Sequence, residues 1–141
     1  MLSFLSSSRR AWLWPVLVAA MIFLASSRSR IAAPAVTGTD KVGHFAVYGL
    51  FATLVVRLIA RRQFAWVAVV IASAYGISDE WHQSFTPGRS VELNDWVADT
   101  SGAVLAVGLY ALWPWYRRLL EAPIARQRRI ENRAAAATVS R

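Results

Sequence analysis

The side chains able to do chemistry in this 141-residue chain crowd into one stretch. Five of its eight acidic residues, Asp79, Glu80, Glu92, Asp95 and Asp99, lie within residues 74–103, with His82, one of only two histidines. On a helix, Asp79, His82 and Gln83 fall at i, i+3 and i+4 and share a face. Asp95, Asp99 and Gly102 make a second such row, and Asp40, His44 and Tyr48, spaced by four, a third. Histidine beside carboxylate is an acid/base pair, so His44, Asp79, Glu80 and His82 are the candidate catalytic groups. No nucleophile motif accompanies them, because Ser84, Ser90 and Ser101 lack an elbow-like glycine context. The competing structural reading is that these groups hydrogen-bond one another and pin helices together.

Asp40, Lys41, His44, Asp79, Glu80, Gln83, Arg89, Asp95 and Asp99 form the wider candidate binding set. Arg89 is the only basic residue in its loop and faces several acids. It is either their salt-bridge partner or a clamp for a phosphate or carboxylate headgroup. Thr86-Pro87-Gly88-Arg89 has the composition of a type II turn, with proline presetting one central angle and glycine admitting positive φ at the next. Ser90, or Asn94 beside Asp95, is placed to cap the following helix. The two histidines lack the His-Glu-x-x-His spacing of a zinc helix, and there is no cysteine to supply a thiolate or a disulfide. No metal and no cofactor are expected.

The elements that must position these groups are apolar. Hydrophobic residues make up 56% of the chain and mean hydropathy is +0.36, above the usual share for soluble domains. Four apolar stretches stand out, at about 11–25, 42–60, 64–82 and 95–116. The second and fourth are long enough, at about 1.5 Å per residue, to cross a hydrocarbon core of roughly 30 Å. The third reaches that length only if its helix continues through Asp79 to His82. Trp12, Trp14, Trp66, Trp81, Trp96, Trp113 and Trp115 all fall near stretch ends, as indoles at a membrane interface do. The expected fold is therefore an all-α polytopic membrane bundle of four transmembrane helices. A soluble four-helix bundle would show a polar face that these stretches lack.

With the N-terminus inside, twelve of the sixteen Lys and Arg residues fall on the inner side: Arg9, Arg10, Arg57, Arg61, Arg62 and the seven beyond Tyr116. Arg28, Arg30, Lys41 and Arg89 fall outside. This bias places both termini in the cytoplasm of a multi-pass plasma-membrane protein. Arg9-Arg10, the apolar stretch and Ala25-Ser26-Ser27 also fit a cleavable secretory signal, which would leave three spans. The short loop leading straight into another apolar run favours an uncleaved span. The organisation is then a short N-terminus (1–10), a membrane domain (11–116) and a basic tail (117–141), partly helical and touching anionic lipid. The net charge of +8 flanks apolar runs, so the partner is the bilayer rather than nucleic acid. On this topology the start of span two, the end of span three and the start of span four meet at the outer face.

The strings Asp40-Lys41-x-x-His44, Ser78-Asp79-Glu80-x-His82-Gln83-x-Phe85-x-Pro87-x-Arg89-Ser90 and Asp95-x-x-x-Asp99-x-x-Gly102-Ala103 together resemble the VanZ-like membrane proteins. The resemblance covers roughly residues 40–105. It implies a small helical protein of the bacterial cell envelope, from a family whose founding member is associated with resistance to the glycopeptide teicoplanin and whose biochemical activity is not settled. Three functions follow as expectations. One is binding of a lipid-linked or cell-wall anionic group, such as a lipid-linked precursor, at the outer face. A second is a membrane enzyme using His44, Asp79, Glu80 and His82 on such a lipid. A transporter is the third and weakest, since its ionisable residues should lie at mid-bilayer.

Overall fold

The computed structural model describes residues 2–28, 39–59 and 61–139. It holds five α-helices: α1 (Leu2–Ser26), α2 (Thr39–Val56), α3 (Trp66–Gln83), α4 (Leu93–Leu112) and α5 (Pro114–Val139). A 3-10 turn, Arg62–Phe64, leads into α3, and the described residues include no strand. The all-α expectation is met.

The centre of the fold is the pair α2–α4, the most extensive helix contact, with α3 packed on both. Glycine permits the crossing. A Cβ added at Gly102 would overlap the Phe45 carbonyl oxygen, and one at Gly49 would lie 3.2 Å from the Gly102 oxygen. Small residues facing each other let two backbones approach closely, as helices packed within lipid commonly do. Around this crossing the core is filled by Tyr48, Phe51, Ala52, Val55 and Val56 of α2, Ala68 and Ala72 of α3, and Ala103, Val107 and Tyr110 of α4.

Helix α1 lies at the periphery. Ile22 is its member of the core, while Trp12, Leu13, Trp14, Val16, Leu17, Met21, Phe23 and Leu24 are exposed. Hydrogen bonds hold it, among them those from the Tyr75 hydroxyl to the Ala19 carbonyl (2.6 Å) and from Thr86 Oγ1 to the Ser26 carbonyl (3.3 Å).

The elements differ from the expected spans at their ends. Helix α2 stops at Val56, short of 60, and Ala60 lies outside the described residues, as does Arg30. The fourth apolar stretch does not run as one helix to Tyr116. It breaks at Trp113, which is extended (φ −107°, ψ 97°), and the chain restarts as α5 at an angle of 94°. Pro114 is the cause: it has no N–H to continue the helical ladder and disfavours the helical region for the residue before it. Beyond it, residues expected to be partly helical form a continuous helix.

No single helix among the described residues is long and apolar enough to cross a membrane. The bent pair Leu93–Leu112 and Pro114–Ala122 meets that test only when taken together. For α2 and α3 the reason lies in one end of each helix, where Asp40 and Lys41 in α2 and Asp79 and Glu80 in α3 dilute the apolar runs. The acids and amide at the end of α3 and the start of α4 face inward. Asp79, Glu80, Gln83, Asp95 and Asp99 are buried, whereas Val70, Ile71, Ile77, Val97, Val104 and Leu105 face outward.

Candidate functional site

Four helix ends converge on the polar cluster: the end of α1, the start of α2, the end of α3 and the start of α4. The spacing of four along α2 and α4 sets His44 against both aspartates of the facing helix. His44 Nδ1 lies 2.9 Å from Asp99 Oδ1, and Nε2 lies 3.6 Å from Asp95 Oδ2. Asp99 is fully buried and has room because Gly76 of α3 carries no side chain; a Cβ there would sit 3.0 Å from Asp99 Oδ2. That second Asp99 oxygen, the Tyr48 hydroxyl and Glu80 Oε1 are buried without a hydrogen-bond partner among the described residues. Buried groups left in this state are costly and invite a ligand or water.

At the mouth of the cluster, Lys41 Nζ donates to Asp95 Oδ1 (2.6 Å) and Glu92 Oε2 (2.9 Å), with Asp40 Oδ2 at 3.9 Å. Two carboxylates within hydrogen-bond distance favour the ammonium form of Lys41. Asp40, Glu92 and Asp95 each offer an oxygen, all within 4.8 Å of one another, an arrangement able to hold a hard cation. Lys41 already bonds two of the three, and so supplies the positive charge from within the chain.

Arg89 is not the salt-bridge partner of these acids. Its Nε (3.1 Å) and Nη2 (2.5 Å) both donate to Gln83 Oε1, a neutral acceptor, and among the described residues it reaches no carboxylate. Lys41 has taken that role because α2 brings it over Glu92 and Asp95, whereas Arg89 is tethered to α3 by its own short turn. Gln83 in turn donates from Nε2 to Asp79 Oδ2 (3.0 Å). The turn itself has the expected form, with Gly88 at φ 80° and Arg89 N–H bonded to the Thr86 carbonyl (3.1 Å).

The start of α4 is a correction. Neither Ser90 nor Asn94 caps it; Glu92 is the N-cap residue and makes no side-chain cap bond. A carboxylate from α3 sets the entry of the chain instead, since Glu80 Oε2 accepts the Glu92 backbone N–H (2.7 Å). His82 also departs from its expected row. It leaves Asp79 and Gln83 to the interior and turns to α1, with Nε2 2.9 Å from Ser27 Oγ and its ring stacked on Phe23 at 4.2 Å. Asp40, Lys41, His44, Asp79, Glu80, Gln83, Arg89, Asp95 and Asp99 are thus brought to one end of the bundle, and His82 to its α1 flank.

Four contributors were not assigned from the sequence: Ser73, Trp96, Thr100 and the Tyr48 hydroxyl. Ser73 Oγ accepts from the Trp96 indole (3.1 Å) and pairs with Thr100 Oγ1 (2.9 Å), a polar seam below the cluster. Trp96 and Thr100, four apart beside Asp95 and Asp99, carried a usable helical signal; Ser73 alone did not. Tyr48 shares the His44 face, which was visible, but its orphaned hydroxyl was not.

Between α1 and this cluster lies a cavity of about 380 Å³, lined by Met21, Ile22, Ala25, Ser26, His44, Val47, Tyr48, Asp79 and Arg89. One wall is the aliphatic side of α1, and the other carries hydroxyl, imidazole, carboxylate and guanidinium. A second space of about 20 Å³, close to that of one water, lies among Gln83, Gly88, Arg89, Ser90, Glu92 and Asp95. Such a site suits an amphiphile: an anionic or hydroxylated head against the polar wall and a chain along α1.

Comparison with protein families matches residues 2–114 to the family described as VanZ/LLP1. No significant match was found among curated proteins or among solved structures.

Proposed function

The chain belongs to the VanZ/LLP1 family, whose members are generally membrane-associated, and from that premise we propose that it is a four-span plasma-membrane protein of the bacterial envelope whose outer polar end binds the anionic headgroup of a lipid-linked cell-wall precursor. The observation that carries this reading is the cavity beside α1, where Arg89 has spent its bonds on a neutral amide and keeps a full charge for an incoming anion. The aliphatic wall of α1 accounts for a lipid chain, and the orphaned Tyr48 hydroxyl for a further contact to the head.

The distribution of polarity supports the bilayer. Acids and amides lie inside and large apolar side chains outside, the reverse of a soluble bundle. Helices α2 and α3, of 18 residues each, are about 27 Å long, close to the roughly 30 Å of a hydrocarbon core. The excess of arginine at the opposite end supports cytoplasmic termini. The family's link to teicoplanin makes glycopeptide susceptibility the cellular phenotype to score.

Binding of a polyprenyl-phosphate-linked precursor to detergent-solubilised protein tests the proposal. Arg89→Ala removes a charge-assisted contact and is expected to weaken binding by about 10- to 100-fold. Equal affinity of wild type and Arg89→Ala, with thermal stability unchanged, would sink the idea.

A further inference from the structure

The opposite end of the bundle holds a second arrangement, independent of the cavity. Where α4 gives way to α5, three hydrogen bonds brace the turn. The Arg62 guanidinium donates to the Ala111 carbonyl in the last turn of α4. Arg57 Nη2 donates to the Leu120 carbonyl (2.8 Å), and the Tyr110 hydroxyl to Glu121 Oε1 (2.6 Å). Two of these bonds reach α5, at Leu120 and Glu121, so the 94° bend is held by Arg57, one residue past α2, and by Tyr110 of α4, and is not a trailing end.

Helix α5 has two kinds of surface. Tyr116 and Leu120 pack against the core. Trp115, Leu119 and Ile130 recur at helical spacing on a neighbouring face and are exposed by 63%, 58% and 56%. Trp113 stands beside Trp115 with ring centroids 5.9 Å apart, both indoles exposed at the elbow. The same helix carries six arginines (117, 118, 126, 128, 129 and 133) against two glutamates, Glu121 and Glu131.

We infer that α5 is an in-plane membrane helix, docked on the anionic lipid of the leaflet at the cytoplasmic end of the bundle. A helix braced at a right angle to an upright span must run along the interface. Exposed indole and aliphatic side chains suit insertion at the headgroup level, and an arginine excess suits anionic lipid over zwitterionic lipid. The inference rests on the reading that α4 stands upright in a bilayer.

The absence of cysteine permits a direct test. Single variants Ile130→Cys on α5 and Leu105→Cys on the outward side of α4 are spin-labelled in the full-length protein. Each is reconstituted in vesicles of phosphatidylcholine alone and of phosphatidylcholine with phosphatidylglycerol. Collision with oxygen, which partitions into lipid, is compared with collision with an aqueous nickel chelate. The expected result at Ile130 is a several-fold higher oxygen-to-nickel ratio with phosphatidylglycerol than without. Combining Arg126→Gln, Arg128→Gln and Arg129→Gln should abolish that rise. A lipid signal at Leu105 with equal Ile130 ratios in both vesicles overturns the inference and leaves the spanning reading standing. An aqueous signal at Leu105 overturns both. A change at Ile130 driven by added RNA or by protein concentration, and not by phosphatidylglycerol, assigns the face to another partner and also overturns it.

Discussion

Asp99 is the residue on which the interior of this protein turns. One of its oxygens meets His44, the other has no partner among the described residues, and its seat exists because Gly76 lacks a side chain. Asp99→Ala would strand the His44 nitrogen and open a void, at a cost of about 1–3 kcal/mol; Asp99→Asn, which keeps an acceptor in place, should cost less. Thermal unfolding in detergent separates the two. Lys41 poses the complementary case, one ammonium holding together carboxylates that would otherwise repel. Lys41→Ala should lower thermal stability and let calcium restore it through Asp40, Glu92 and Asp95, whereas calcium should leave the wild type unchanged.

At the scale of elements, the crossing of α2 and α4 decides the geometry of the site. Gly102→Ala drives a Cβ into the Phe45 backbone, which cannot rotate away, so the helices must part at a cost of about 1–3 kcal/mol. Gly108→Ala, on the same helix with open space around its Cβ, should be neutral or stabilising by about 0.5–1 kcal/mol. Equal loss in the two variants would refute a specific close approach at Gly102. The three helical rows of polar residues were legible in the sequence because spacing of three and four is a local property of a helix. Asp95, Asp99 and Gly102 share a face, as the spacing indicated, and the structure turns that face to α2. The row of Asp79, His82 and Gln83 split, because neighbours on a helix still diverge by tens of degrees and two different helices lay within reach. The helix break at Trp113 had its cause in plain view at Pro114, but four apolar or aromatic residues around it read as a continuation.

For the whole molecule, no single helix among the described residues is long and apolar enough to make a membrane span self-evident, yet the polarity of the bundle is inside-out. The proposed topology is tested by cysteine labelling in intact cells. Ser90→Cys should react with a membrane-impermeant maleimide from outside, and Ala136→Cys only after permeabilisation; the reverse pattern would invert the topology. By itself, the sequence determined the helical class, the absence of thiol chemistry, the polar residues that a helix would set on one face and the family they resemble. These follow from composition and from spacings within single helices. Only the tertiary structure decided the partners: Lys41 and not Arg89 on the acids, Glu80 and not Ser90 at the start of α4, His82 on α1. Each of those choices depends on angstrom-scale distances between helices 12 to 55 residues apart in the chain. The helix crossing sets such distances, and no local pattern encodes them. The stretch that held the chemistry thus became a site only when α1 and α2 closed over it.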